Sequence, residues 1–136
     1  MSNKNYIQFK SSLLQSILNS LILLNSKNCS GIHINGKIGY VSQINWIKND
    51  TIKNNILFFE KYEKEKYEKI LKLTELIYDL NNLEGGDNTE IGEKGINLSE
   101  GQKMRISLAR SLYSESDIYL FDDPFSSLDF SQRNIL

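Results

Sequence analysis

Residues 98–102 read LSEGQ and residues 118–123 read IYLFDD, and these two segments decide the predicted fold. The first places Ser99 and Gly101 at the start of a predicted helix, where backbone N–H groups without helical partners attract anions. The second is a short apolar strand that ends in two carboxylates, and open α/β sheets bind ligands at such strand ends. A phosphate-facing helix start followed by a metal-facing strand end indicates a nucleotide site.

Each segment taken alone has an ordinary structural explanation. Ser99 alone would be a common helix cap, and residues 118–123 alone would be a strand followed by an acidic turn. In the functional interpretation, Asp122 holds Mg²⁺ directly or through water, because carboxylate oxygens suit that ion. Asp123 then orients an attacking water or acts as a general base.

Length and charge narrow the class of protein. The 136 residues correspond to one domain or part of one, and the net charge of -1 predicts no nucleic-acid partner. Cys29 is the single cysteine, so no internal disulfide forms, which fits a reducing compartment. The most apolar stretch, residues 13–24, is too polar to span a bilayer, and residues 1–10 lack the features of a signal peptide.

The first part of the chain predicts one helix and a hairpin. Apolar residues recur at steps of three and four over residues 11–24, which indicates an amphipathic helix. Residues 31–35 and 37–43 resemble two short strands joined at Asn35 and Gly36, the favoured pair for a tight hairpin turn.

The middle of the chain is predicted to be mostly helical. Thr51 caps a first helix, and the alternating charges of residues 60–72 indicate the solvated face of another. A turn region at residues 80–87 and a glycine-containing loop at residues 92–97 follow. Residues 99–112 then form a helix that Ser99 caps.

Four motifs together resemble the nucleotide-binding domain of an ABC transporter. Residues 98–102 resemble the LSGGQ signature, with Glu100 at a position where glycine is usual, and residues 118–123 resemble the Walker B strand. Gln43 resembles the Q-loop glutamine, and residues 126–129 (SSLD) resemble the D-loop. Four motifs in this order rarely coincide by chance.

Further residues resemble the C subfamily, which includes the multidrug-resistance-associated exporters and the cystic fibrosis chloride channel. They are Gln43 followed by Trp46, residues 51–58, residues 91–98 (IGEKGINL) and Asp123. In the first nucleotide-binding domain of that subfamily, an aspartate commonly stands at the position of the catalytic glutamate. The resemblance therefore implies a weak or degenerate ATPase site at Asp123.

The resemblance also implies a paired arrangement. In the family, two such domains enclose two ATP molecules, so Ser99, Gly101 and Gln102 would face the γ-phosphate of an ATP held by a second nucleotide-binding domain. Glu100 would bring a carboxylate near that phosphate, where it either points away to solvent or weakens binding by like-charge repulsion.

The other site residues would serve a nucleotide held by this chain. By resemblance, Gln43 contacts Mg²⁺ and the attacking water, Asp122 is a metal ligand, and Asp123 occupies the catalytic position. Trp46 has two open interpretations. It either borders the groove that receives a coupling helix of the membrane part, or it is a buried core aromatic.

The phosphate loop departs from the family pattern G-x-x-x-x-G-K-[ST]. By resemblance, Lys10 would contact the β- and γ-phosphates, Ser11 would ligate Mg²⁺, and Ser12 would complete the phosphate-binding segment. Lys4 and Phe9 stand where the two glycines belong. The backbone should therefore not curl around a phosphate in the usual way, because glycines permit that curl.

Other parts of the family's domain have no match in this sequence. We expect that the family's strand before the phosphate loop does not precede residues 1–10, that the parallel sheet lacks its central strand, and that the chain is truncated at both ends. His33 lies in the predicted hairpin and does not match the family's switch histidine. The chain alone is therefore predicted to be inactive as an ATPase.

The predicted fold is α/β: a partial P-loop NTPase core of the ABC ATPase type with a helical subdomain, its sheet mixed. One partial domain would cover residues 1–136. Residues 11–50 would form a core segment with the Walker A helix and Q-loop, residues 51–114 the helical subdomain with the signature, and residues 115–136 Walker B and the D-loop.

The predicted function is ATP binding and hydrolysis coupled to export across a membrane, with ATP and Mg²⁺ as cofactors. The partners would be a second nucleotide-binding domain and the transmembrane domains of a transporter, which would hold the chain at the cytosolic face. The alternative is a non-catalytic truncated paralogue that pairs with or regulates another nucleotide-binding domain. An independent soluble ATPase is disfavoured because the phosphate-loop glycines are absent.

Overall fold

A computed structural model describes residues 5–8, 35–95 and 97–123, with the backbone alone described at residues 5–8. Its strands are β1 (Asn5–Gln8), β2 (Ile38–Val41) and β3 (Ile118–Phe121). They form a parallel sheet in the order β1-β3-β2. Strand β3 is therefore central among the described strands, and Leu120 pairs with a residue of β1 on one side and a residue of β2 on the other.

The described ranges also contain four α-helices. They are α1 (Ile52–Leu57), α2 (Lys64–Leu73), α3 (Leu76–Asn81) and α4 (Glu100–Tyr113). Two single 3₁₀ turns, Gly86–Asn88 and Glu93–Gly95, lie between α3 and α4. Helices and a parallel sheet within one chain agree with the predicted α/β class. The three described strands are all parallel, so the predicted mixed sheet is not found among them.

Helix α4 lies between the sheet and the other three helices. Ile106, Ala109 and Tyr113 recur at steps of three and four residues, and they belong to the core formed with α1, α2 and α3. Met104 and Leu108 lie on another face and pack with Val41 of β2. Each fully buried apolar side chain of this size contributes about 1.5–3 kcal/mol. Burial on two faces therefore makes α4 the link between the two layers.

A buried tyrosine determines where α2 begins. The hydroxyl of Tyr113 donates to the carbonyl of Lys61 at 2.7 Å and accepts the N–H of Glu63 at 2.9 Å. Glu63 is the residue before α2, and its own side chain makes no capping hydrogen bond. The charged run at residues 60–72 is therefore helical only from Lys64, four residues later than the charge pattern suggests.

No strand was predicted within residues 1–10, but the structure has one there. Residues 5–8 form β1, which pairs with β3 along its whole length, so the central strand has a neighbour on both sides. Tyr6 and Ile7 favour strands. This short-range preference could have indicated β1, although its pairing with a distant strand could not be read from it.

The predicted hairpin is only partly described. Residues 37–43 contain the shorter strand β2, with Tyr40 on its exposed face between two buried neighbours. Gly36 has a φ of +140°, and a Cβ there would come within 2.8 Å of the Asp117 carboxylate. The first predicted hairpin strand, residues 31–35, lies outside the described residues except for Asn35, and so does the predicted helix at residues 11–24.

The chain leaves α1 through two consecutive residues in the left-handed region. Phe58 has a φ of 40° and Phe59 a φ of 74°. The N–H of Phe58 donates back to the carbonyl of Asn54, which closes the helix. Left-handed backbone costs roughly 1–2 kcal/mol for a residue with a Cβ, and glycine is the usual residue at such helix ends. The Phe59 side chain is 86% exposed, so burial of its ring does not offset this cost.

Replacing Phe59 with glycine should stabilise the chain relative to the matched variant Phe59→Ala. Both variants lose the exposed ring, but only glycine adopts this backbone conformation without strain. We expect Phe59→Gly to be more stable by ~0.5–1 kcal/mol after the greater flexibility of glycine in the unfolded chain is counted. Urea unfolding followed by circular dichroism measures the difference. An alanine variant of equal or greater stability would contradict the strain.

Candidate functional site

Two reciprocal hydrogen bonds fix the first turn of α4. The N–H of Gln102 donates to Oγ of Ser99 at 3.2 Å, and the N–H of Ser99 donates to Oε1 of Gln102 at 2.9 Å. This capping box satisfies two N–H groups at the helix start. Ser99 lies at the surface. Because its Oγ accepts one of these bonds, its hydroxyl hydrogen can donate outward to an anion.

Glu100 is paired with a lysine of its own helix. Nζ of Lys103 lies 2.8 Å from Oε1 of Glu100, and the Lys103 side chain is only 15% exposed. The lysine stem is confined by Gly95, where a Cβ would come within 3.0 Å of the lysine Cε. The pair compensates the negative charge of Glu100, which weakens the case for repulsion of a phosphate.

Asp79 of α3 holds the other side of the same turn. Arg105 donates to both carboxylate oxygens of Asp79, from Nε at 2.6 Å and from Nη2 at 3.0 Å. Nε2 of Gln102 donates to Oδ1 of Asp79 at 3.3 Å. Gln102, predicted to bind a cofactor, therefore has both ends of its side-chain amide bonded within the chain.

The carboxyl ends of β2 and β3 bring three predicted site residues to one edge of the sheet. Asp122 directly follows β3, and its N–H donates to the carbonyl of Val41 at 3.0 Å. Asp123 comes next, exposed and with a φ of 44°, a conformation that aspartate adopts more readily than most residues. Gln43 follows β2 and is also exposed.

The carboxylate of Asp122 suits a cation. The residue is 6% exposed, and its Oδ1 has no hydrogen-bond partner among the described residues. Its Oδ2 accepts a long hydrogen bond of 3.4 Å from the hydroxyl of Tyr40. Burial, followed by the charge and hydrogen bond of Asp122, raises the pKa of Tyr40. A buried carboxylate oxygen without a partner is costly, and a metal ion would satisfy it.

No cluster of three or more histidine, cysteine or acidic side chains forms a metal site within the described ranges. Mg²⁺ at a nucleotide site commonly takes one or two carboxylates together with phosphate oxygens. A single carboxylate such as that of Asp122 is therefore enough to act as a protein ligand to Mg²⁺ beside a nucleotide.

Strand β1 occupies the four positions between the two glycine positions of the predicted phosphate loop. Residues 5–8 are extended and pair with β3, whereas a phosphate loop needs a tightly curled backbone. The predicted ligands Lys10, Ser11 and Ser12, and the D-loop residues 126–129, lie outside the described residues.

Arg110 and Asn55 fix the segment that follows Gln43. Arg110 donates from Nη1 to the carbonyl of Trp46 at 3.0 Å, from Nε to the carbonyl of Asn55 at 2.7 Å, and from Nη2 to Oδ1 of Asn55 at 2.9 Å. Asn55 is fully buried and pairs with both the N–H and the carbonyl of Lys48. Burial lowers the pKa of Arg110 to about 10, which leaves the group cationic at neutral pH.

Neither Asn55 nor Arg110 was predicted from the sequence to contribute to the site. The available signal was an asparagine next to Ile56 in the apolar stripe of α1, because a polar residue at a core position needs several partners. Its partner lies 55 residues further along the chain, so sequence spacing alone could not identify it.

Three aromatic side chains, Trp46, Phe58 and Phe59, form an aromatic surface beside this network. They are 56%, 38% and 86% exposed, respectively. The rings of Trp46 and Phe58 meet edge to face at 5.7 Å, and the Arg110 guanidinium lies about 5 Å from both. Of the two interpretations of Trp46, the buried core aromatic is therefore wrong. Such an exposed apolar patch indicates a binding surface.

Comparison with known proteins identifies the group to which these motifs belong. A family model described as ABC transporter matches residues 10–126. The chain is 51% identical over 121 residues to rat ATP-binding cassette sub-family C member 2, and 51% identical over 120 residues to ABC transporter C family member 9 of Arabidopsis thaliana. It is 48% identical over 120 residues to human ATP-binding cassette sub-family C member 4.

These alignments cover 88% of this chain but only 8% or 9% of each relative. The chain therefore spans less than a tenth of the length of these relatives. In the described part of the chain, no helix has the length and apolar character needed to cross a membrane.

Changing Arg110 to lysine should lower the free energy of unfolding by about 2–3 kcal/mol. Lysine cannot bond Trp46 and both oxygens of Asn55 at once, so some of these oxygens lose a charged hydrogen-bond donor. Urea unfolding measures the change, and the fluorescence of Trp46, the single tryptophan, reports the local effect. The control is Lys64→Arg on the exposed face of α2, where we expect a change within about 0.5 kcal/mol. Wild-type stability and emission in Arg110→Lys would contradict this role.

Proposed function

Because the chain belongs to the ABC transporter family, with relatives in subfamily C, we propose that it is the ATP-binding part of a transporter of the multidrug-resistance-associated type. Its activity would be ATP binding and hydrolysis coupled to export across a membrane. The observation that carries this proposal is that the chain has both a capped helix start at Ser99, suited to a phosphate, and the buried carboxylate of Asp122. The proposed architecture is a partial P-loop NTPase core, with residues 51–114 as the helical subdomain between segments 11–50 and 115–136.

The turn at Ser99 would serve an ATP held by a second nucleotide-binding domain. The Ser99 hydroxyl and the N–H of Gly101 would donate to its γ-phosphate, supported by the partial positive charge of the helix start. The hydrogen bonds of Gln102 favour a role in holding this turn over direct contact with phosphate. The pairing of Glu100 with Lys103 supports tolerance of a carboxylate at this position.

A nucleotide bound by the chain itself would lie at the carboxyl edge of the sheet. Lys10, Ser11 and Ser12 would hold its phosphates, and Ser11, Gln43 and Asp122 would hold Mg²⁺, which neutralises phosphate charge when bound. Oδ1 of Asp122 has no hydrogen-bond partner among the described residues, which supports the metal assignment. Asp123 and Gln43 would orient the attacking water.

The aromatic surface would receive a coupling helix from transmembrane domains, which would hold the chain at the cytosolic face of a membrane. Its exposed rings supply an apolar contact, and Arg110 anchors them to α4 through the carbonyl of Trp46. A displacement of the aromatic surface would therefore be transmitted through Arg110 to helix α4, which Ser99 caps.

A second candidate function is a non-catalytic partner that retains only the turn at Ser99 and regulates another nucleotide-binding domain. Strand β1 favours this candidate, because residues 5–8 are extended at the positions where a phosphate loop would curl. The two candidates share the contact at Ser99 and differ only in whether the chain holds its own nucleotide.

The shared contact predicts that Ser99→Ala weakens MgATP-dependent association with an intact subfamily C nucleotide-binding domain. Loss of one hydroxyl donor to a charged phosphate should raise the dissociation constant by about tenfold. Sedimentation equilibrium with MgATP measures it, with MgADP as the baseline. The matched control is Thr51→Ala, which removes a similar N-cap bond to Asn54 at another helix start.

Equal weakening by Ser99→Ala and Thr51→Ala would reduce the effect to lost helix capping. Association that does not depend on MgATP in the wild-type chain would contradict the proposed contact altogether.

The departure at the phosphate loop predicts that the chain alone shows no Mg²⁺-dependent ATP binding and that Lys10→Ala changes nothing. An extended backbone cannot gather several N–H groups on one phosphate. Isothermal titration calorimetry tests this directly. Micromolar binding that Lys10→Ala abolishes would contradict the broken loop and favour the first candidate over the second.

A further inference from the structure

We propose that Asp79 of α3 is a positioning residue for the phosphate-facing turn at Ser99. It fixes the orientation of the Gln102 side-chain amide and, through that amide, the backbone N–H of Ser99. The importance of this turn for a nucleotide rests on the proposed function, whereas the effect of Asp79 on the turn rests on hydrogen-bond geometry alone.

The two ends of the Gln102 side-chain amide face different neighbours, Asp79 and Ser99. A carboxylate only accepts hydrogen bonds, so Asp79 can bond only the NH₂ end of that amide, and Nε2 lies 3.3 Å from its Oδ1. The carbonyl end, Oε1, is thereby turned towards Ser99, whose N–H it accepts at 2.9 Å. The capping box therefore depends on a charge in another helix.

Asp79 is itself held in place by Arg105 and by the packing of α3. Arg105 binds both of its oxygens, in the two-pronged arrangement that gives arginine–carboxylate pairs their defined geometry. The two side chains are 15% and 16% exposed, so solvent screens the pair less than a surface ion pair. Leu76 and Leu80, which flank Asp79 on α3, are buried in the core that α3 shares with α4.

These hydrogen bonds connect α3 to the turn at Ser99. Asp79 links α3 to Gln102, and Gln102 links in turn to Ser99, so a displacement of α3 would change the hydrogen bonding of the turn. An uncharged asparagine at position 79 could donate as well as accept, which would let the Gln102 amide turn over and release the Ser99 N–H.

The test is amide hydrogen exchange at Ser99, measured by NMR on the full chain. We expect Asp79→Asn to speed exchange of this N–H by about tenfold, the effect of one lost hydrogen bond. The double variant Asp79→Asn with Gln102→Glu should restore slow exchange, because the glutamate accepts the Ser99 N–H and the asparagine donates to the glutamate. The matched control is Glu84→Gln, which removes a charge from an exposed position between α3 and α4.

A second variant keeps the test valid if Asp79→Asn does not fold. Glutamate favours the third helical position of a capping box, so an isolated turn would tolerate or prefer Gln102→Glu. We expect the opposite here: faster exchange at Ser99, because the new carboxylate faces Asp79. Unchanged exchange in either single variant, or no recovery in the double variant, would overturn the positioning role.

The same samples separate this inference from the proposed function. MgATP is added together with an intact subfamily C nucleotide-binding domain, and the amide signal of Gly101 is followed. A shift in the wild-type chain that weakens in Asp79→Asn and returns in the double variant supports both. A wild-type Gly101 signal that does not shift contradicts the phosphate contact, while the exchange rates at Ser99 still decide the role of Asp79.

Discussion

The hydrogen bonds of the Arg110 guanidinium are the interaction on which the rest of the structure depends. This one group joins three parts of the chain: helix α4, which carries it, Asn55 of α1, and the carbonyl of Trp46. Five N–H donors in a planar fork allow arginine to bond several acceptors at once, here on residues 55 and 64 positions earlier in the sequence. Its burial is tolerated because the guanidinium meets three oxygen acceptors, the carbonyls of Trp46 and Asn55 and Oδ1 of Asn55.

Helix α4 relates the two halves of the candidate site. Its first turn presents Ser99, while Met104 and Leu108 seat it on β2, the strand that precedes Gln43. The short connection after α4 leads directly into β3 and to Asp122 at its end. Helix α4 thus lies between the turn at Ser99 and the carboxylate of Asp122 along the chain, and Arg110 connects the same helix to the aromatic surface.

Short-range sequence patterns predicted the features that depend on neighbouring residues, namely two helix caps and one strand. Ser99 caps α4, Thr51 caps α1, and residues 118–121 form a strand, each as the sequence indicates. The sequence could not reveal Asp79 or Asn55 as organisers of the site, because their roles depend on partners more than twenty residues away. Strand β1 was missed for the same reason: a parallel neighbour, rather than a turn, defines it.

Paramagnetic broadening by the Mn²⁺ complex of ATP tests the central claim most directly, in a mixture of this chain with an intact subfamily C nucleotide-binding domain. The amide signals of Ser99 and Gly101 should broaden, because the nucleotide lies against that turn. The signals of Ile52 and Asn54, at the other capped helix start, should stay sharp. Equal broadening at both helix starts, or none at Ser99, would contradict the account.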